Sequence, residues 1–155
     1  MADWPAGRAA RACQTALVRP IIVRVLLVAL AVPNLVAGLW AVLAPEHWYE
    51  NFPGWPPALV AAHPPYNDHL ASDAGAGLLA SGLLAALAVV WTRRDVVTVA
   101  MIGYLGFSVP HGLFHLTHPS DLLSTAEDTA NAVAVVVAVV AAVAVLVLSL
   151  RKSSV

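Results

Sequence analysis

Four long apolar runs limit what this chain can fold into more than any other feature. A helix rises about 1.5 Å per residue and the hydrocarbon core of a bilayer is about 30 Å thick, so about 18 or more apolar residues in a row mark a spanning helix. The runs extend from Ile21 to Leu43, Ala71 to Trp91, Val96 to Leu116 and Asp128 to Leu150. A content of 60% hydrophobic against 11% charged residues is wrong for a soluble domain and right for a chain whose solvent is lipid. The expectation is an all-α membrane protein, a single domain over residues 1–155, with four transmembrane helices in an antiparallel bundle. Its surroundings are the lipid bilayer, no nucleic-acid partner is expected, and the oligomeric state is open.

Orientation follows from the cations, because Lys and Arg beside membrane spans stay on the cytoplasmic side. All eight basic residues fall on one side of the four spans. Arg8, Arg11, Arg19 and Arg24 lie at or before the start of the first span, Arg93 and Arg94 between the second and third, and Arg151 and Lys152 after the fourth. The acids divide the other way, with Glu46, Glu50, Asp68, Asp73, Asp121, Glu127 and Asp128 opposite and only Asp3 and Asp95 on the basic side. Both termini are therefore expected in the cytoplasm and all six histidines at the outer face. Val42-Leu43-Ala44 resembles a signal-peptide cleavage site, but the apolar stretch before it exceeds the usual h-region of about 7–15 residues and Pro45 would follow the cut, so the first helix is read as an anchor. Cys13 has no partner in the chain, which excludes an internal disulfide or a thiolate metal cage.

Between the spans the sequence is uneven. Residues 1–20 form a short basic arm suited to anionic headgroups. Residues 44–69 hold six of the eleven prolines together with Trp48, Tyr49, Phe52, Trp55 and Tyr66, a density that suits the headgroup region and reads as a lid over the outer helix ends. Within it, Pro57 to Ala62 is the piece expected to form a short helix. Pro33-Asn34 interrupts the first span and leaves Asn34 in need of a partner within the bundle. Gly75, Gly77, Ser81 and Gly82 thin the second span for close helix approach.

The strongest local pattern is Pro110-His111-Gly-Leu-Phe-His115-Leu-Thr-His118, in which histidines at i, i+4 and i+7 share one helical stripe. The second span opens with His69 and Asp73, also i and i+4, and the fourth with Glu127, Asp128 and Asn131. Counted from the outer ends, these groups lie within about two turns of the interface and can meet. Ionisable groups at that depth are costly and usually face each other or water. His69, Asp73, His111, His115 and Asp128 are the candidate ligands of a transition metal, Zn, Fe or Cu, held between facing helices. Haem ligated by His111 is a weaker fit, because no further haem signature is present. The same residues can transfer protons without a metal, with a small amphiphile beneath the lid as ligand. A third reading is purely structural: an accessory or scaffold subunit whose His, Asp and Asn contacts only fix the packing. His47, His63, His118, Glu46, Glu50 and Asp121 are expected to be hydrated.

An H-x-x-x-H box resembles part of the fatty acid desaturase signature, but the further boxes of that group are absent here. The combination Pro65-Tyr66-Asn67-x-His69-x-x-x-Asp73 with Pro110-His111-x-x-x-His115-x-x-His118 resembles a group of small bacterial four-helix membrane proteins over nearly the whole chain, including Trp40 to Gly54. DoxX-like membrane proteins are similar in size and helix count only. The resemblance supports the four-helix fold and implies no activity; the expected location is a bacterial inner membrane.

Overall fold

The computed structural model describes residues 6–150, with side chains described from residue 20 onward. Asp3, Arg8, Arg11, Cys13, Arg19, Arg151 and Lys152 thus lie outside the described side chains. Among the described residues the protein is all helical and has no strand: α1 (Ala6–Leu43), α2 (Pro45–Asn51), α3 (Asp68–Val90), α4 (Arg94–Thr117) and α5 (Thr125–Leu150). Four segments are long and apolar enough to cross a membrane: Pro20–Leu43, Asp68–Val90, Arg94–Thr117 and Thr125–Leu150. They coincide with the four apolar runs of the sequence to within a few residues, so the chain reads as a multi-pass membrane protein.

Local chemistry sets the helix ends. Asn67 caps α3 by accepting the Leu70 N–H on its side-chain oxygen at 3.0 Å. Ser124 and Glu127 close a reciprocal box at the start of α5, the Ser124 N–H donating to Glu127 Oε2 at 2.8 Å and the Glu127 N–H to Ser124 Oγ at 3.4 Å. Pro45 sits in the first turn of α2, where its missing N–H costs nothing. At the start of α4, Arg93 grips both carboxylate oxygens of Asp95, at 2.7 and 3.2 Å.

Helix α1 packs on α3 and, less extensively, on α5; α4 likewise packs on α3 and α5. The four form a ring whose diagonals, α1 with α4 and α3 with α5, do not approach through their backbones. The tightest seam is α1 with α3. A Cβ added to Gly38 would lie 2.7 Å from Leu79 Cα and 2.9 Å from the Gly75 carbonyl oxygen, and one added to Gly82 would lie 2.7 Å from the Leu35 nitrogen. Backbones approach this closely only where a side chain is missing. Gly77 serves a different neighbour, the ring of Phe107 on α4.

The interior falls into two apolar clusters. The larger, around Leu27, Ala85, Met101, Tyr104 and Val145, fills the ring away from the α1–α3 connection. The smaller joins Ala41, Trp48 and Ala71 beside that connection. The α1–α3 connection differs from expectation in one respect: its helix is α2, over Pro45–Asn51, while Pro57 to Ala62 is a run of turns. Pro45 and Glu46 place a helix start directly after α1. The later piece is fixed in place by the Leu59 N–H donating to the Phe52 carbonyl at 2.8 Å and by Ser120 Oγ donating to the Ala62 carbonyl at 2.5 Å.

Candidate functional site

A cavity of about 810 Å³ occupies the ring between the two apolar clusters, and all four long helices and the α1–α3 connection contribute to its wall. Most of that wall is apolar, from small residues such as Ala37, Ala74 and Ala134 to rings such as Phe52, Phe107 and Phe114. Its polar groups fall at two levels.

The deeper level is built by α1 and α4. Asn34 donates from Nδ2 to the hydroxyl of Tyr104 at 3.0 Å and to the Leu30 carbonyl at 2.9 Å, which answers the need for a partner that its sequence position creates. Tyr104 is almost wholly buried, and Ser108, one turn further along α4, also lines the cavity. This pair spans the diagonal that the backbones leave open.

The second level is built by α4, α5 and the connection. One helical turn separates His111 from His115, which brings their rings to 4.8 Å between centroids. Phe107 lies flat against His111, with centroids 5.4 Å apart and planes 16° from parallel. On the other side, the ring of His63 meets His115 edge-on at 5.5 Å. Asn131 on α5 places its amide nitrogen 3.3 Å from His115 Nδ1. In the His115 tautomer with its proton on Nε2, Nδ1 accepts from this amide.

The five candidate ligands are not gathered at one point. His111 and His115 line the cavity, but His69 and Asp73 pair with each other at 3.4 Å on a face of α3 where their side chains are 83% and 64% exposed. Asp128 lines a separate groove of about 400 Å³ between α4 and α5, which it shares with His115 and Pro119. Among the described residues no three His, Cys, Asp or Glu side chains converge as a metal shell. Glu127 reaches the cavity wall while its carboxylate is occupied by the Ser124 hydroxyl at 2.7 Å and backbone N–H.

Two residues that the sequence places in the wet connection belong to the cavity. His63 is half-buried against Phe114 and His115, and its Nε2 is closed off without a hydrogen-bond partner. Trp48, on α2, is buried and lines the cavity, and its indole Nε1 is also closed off without a partner. Nothing in the spacing of His63 marks it, since a loop residue's burial depends on what packs over it. By contrast His47 accepts from Trp40 Nε1 at 2.9 Å, and His118 stacks on Phe114 at 4.4 Å; both are exposed.

At the rim, Tyr66 donates to Asp68 at 2.9 Å and packs on Tyr49 at 5.1 Å between ring centroids. Loss of solvent around the phenol, then the hydrogen bond to Asp68 and the negative charges of Asp68, Glu46 and Glu50, push its pKa up to about 12. The connection therefore carries a rim of negative charge above a mostly apolar wall.

No protein-family model, curated protein or solved structure matches the chain.

Proposed function

We propose that this is a bacterial inner-membrane protein with both termini in the cytoplasm and antiparallel helices, and that its outward-facing cavity binds a small amphiphilic molecule beneath the 44–69 lid. The orientation rests on the basic residues gathered at one set of helix ends. The antiparallel arrangement is supported by the α1–α3 seam, where Leu35 meets Gly82 while the later Ala41 meets the earlier Gly75.

The observation that carries the ligand reading is the cavity itself. At about 810 Å³ it falls within the roughly 300–1,000 Å³ of small-molecule pockets, and an apolar wall with a few polar groups at fixed depths is how such pockets combine affinity with orientation. A role in helix packing alone accounts for the Asn34–Tyr104 contact. It gives no reason for so large a space beside it, since spanning helices gain stability by closing such gaps.

The metal reading draws support from one contact, the adjacent rings of His111 and His115. It needs further ligands from His69, Asp73 or Asp128, which lie elsewhere, so the amphiphile is preferred.

The test is binding of a fluorescent long-chain alcohol to the full chain in lipid nanodiscs. Ala134 lines the cavity, whereas Val140 is 60% exposed on the outside of α5. Saturable binding that Ala134→Trp abolishes and Val140→Trp leaves intact is the expected result. Equal binding by both variants and the unaltered chain would overturn the proposal.

A further inference from the structure

Resting on the amphiphile reading of the cavity, we infer that the ligand's head is uncharged and carries a hydrogen-bond-accepting carbonyl oxygen, as in a long-chain ketone, aldehyde or ester, which Trp48, His63 and His115 recognise. Charge supplies the first half of the inference. Among the described residues no Lys or Arg lines the cavity, so a carboxylate or phosphate head would be buried without a cation. A cationic head finds one lining carboxylate, Glu127, and that group is engaged by Ser124. The acidic rim of Glu46, Glu50 and Asp68 further disfavours an anion on its way in.

The balance of donors and acceptors supplies the second half. Trp48 Nε1 can only donate. His115 donates from Nε2 in the tautomer whose Nδ1 accepts from the amide nitrogen of Asn131. His63 Nε2 donates or accepts according to its tautomer. Among the described residues Trp48 Nε1 and His63 Nε2 are both closed off from solvent with no protein partner, and a buried polar atom left unsatisfied costs free energy that an incoming acceptor recovers. Both residues line the cavity, and as part of this inference the two side chains turn toward the ligand's oxygen on binding. The head thus meets these N–H donors and, among the described lining residues, no cation. The chain of the ligand runs along Phe107, Ala134 and Ala138 toward Tyr104.

The experiment measures equilibrium binding of tritiated probes to the full chain in nanodiscs, by scintillation proximity. Four probes share one alkyl chain and differ in the head: methyl ketone, carboxylate, trimethylammonium, and plain hydrocarbon. The ketone is expected to bind about tenfold more tightly than each of the others, the effect of one or two recovered hydrogen bonds. Trp48→Phe, which keeps a ring and deletes the N–H, is expected to remove most of that preference and leave hydrocarbon binding unchanged; His63→Phe serves as an independent second variant. Equal affinity for ketone and hydrocarbon overturns the inference and leaves the cavity reading standing. So does preference for a charged head, or a ketone preference that survives both variants. Failure of all four probes to bind overturns both readings.

Discussion

Asn34 on α1 and Tyr104 on α4 are joined by a 3.0 Å hydrogen bond across a diagonal of the helix ring that no backbone contact closes. The bond lies at the deeper level of the cavity wall and ties α1 to α4. Tyr104→Phe deletes the acceptor while keeping the ring, leaving one Asn34 hydrogen without a partner in an apolar setting. Inter-helix hydrogen bonds in membranes contribute about 0.6 kcal/mol on average and up to about 2, so a loss in that range is expected in a reversible detergent-denaturation midpoint. An unchanged midpoint would show that the contact does not hold the diagonal.

The α1–α3 seam predicts a contrast between two glycines. Gly38→Val forces a side chain into the backbone of α3 and is expected to cost about 1–3 kcal/mol, the usual range for overpacking. Gly106 on α4 has open space where a Cβ would go, so Gly106→Ala should be neutral or stabilise by up to about 1 kcal/mol through helix propensity. Denaturation midpoints of the two variants decide the matter, and similar costs at both sites would contradict the seam.

The box between Ser124 and Glu127 makes α5 dependent on its first turn. Ser124→Ala removes the hydroxyl that accepts the Glu127 N–H and is expected to cost about 0.5–2 kcal/mol. Amide hydrogen exchange should quicken over the first turn of α5 and stay unchanged in α1; exchange that quickens evenly along the chain would point to a global effect.

Tyr66 supplies a pH dependence. Its folded pKa is raised from 10.0 to about 12, so the folded state favours the neutral phenol. The stabilisation is fully present below the unfolded value and is lost as pH rises through the folded one. Ultraviolet titration of the tyrosines should include a step near pH 12 that disappears in Tyr66→Phe and moves down in Asp68→Asn. A step unaltered by both substitutions would rule out the Asp68 contact as its cause.

For metal, the placement of the five candidates gives an expected outcome. After incubation with Zn, Fe or Cu salts and desalting, the protein should retain less than one ion per chain, and Asp73→Asn should not change the amount, because Asp73 is turned away from His111 and His115. A full equivalent lost in both Asp73→Asn and the His111→Ala/His115→Ala pair would instead establish the shared shell.

The four spanning helices were legible because lipid imposes a length and an apolar composition that few other constraints mimic. The His111–His115 pair was legible from spacing alone. What spacing at i and i+4 does not say is which way a pair faces, and His69 with Asp73 shows it: their spacing is right and their face is the exposed one. The packing face of α3 is marked by Ala71 and Gly75, two residues further along, about 200° around the helix. Using those small residues as the inward reference would have turned His69 and Asp73 outward. His63 and Trp48 left no such mark, because the path of a proline-rich connection depends on contacts as distant as that between Ser120 and Ala62.

The dominance of the α1–α3 seam has a consequence for biogenesis. Its two partners are adjacent spans, and the segment between them is the one that covers the cavity. A nascent chain emerging as far as Arg93 already contains the tightest interface of the protein, with two of the four helices that line the cavity and the α1–α3 connection. The α4–α5 hairpin arrives afterwards, contributing His111, His115 and Asn131, so the contact between His115 and Asn131 can form only after the α1–α3 seam has been synthesised.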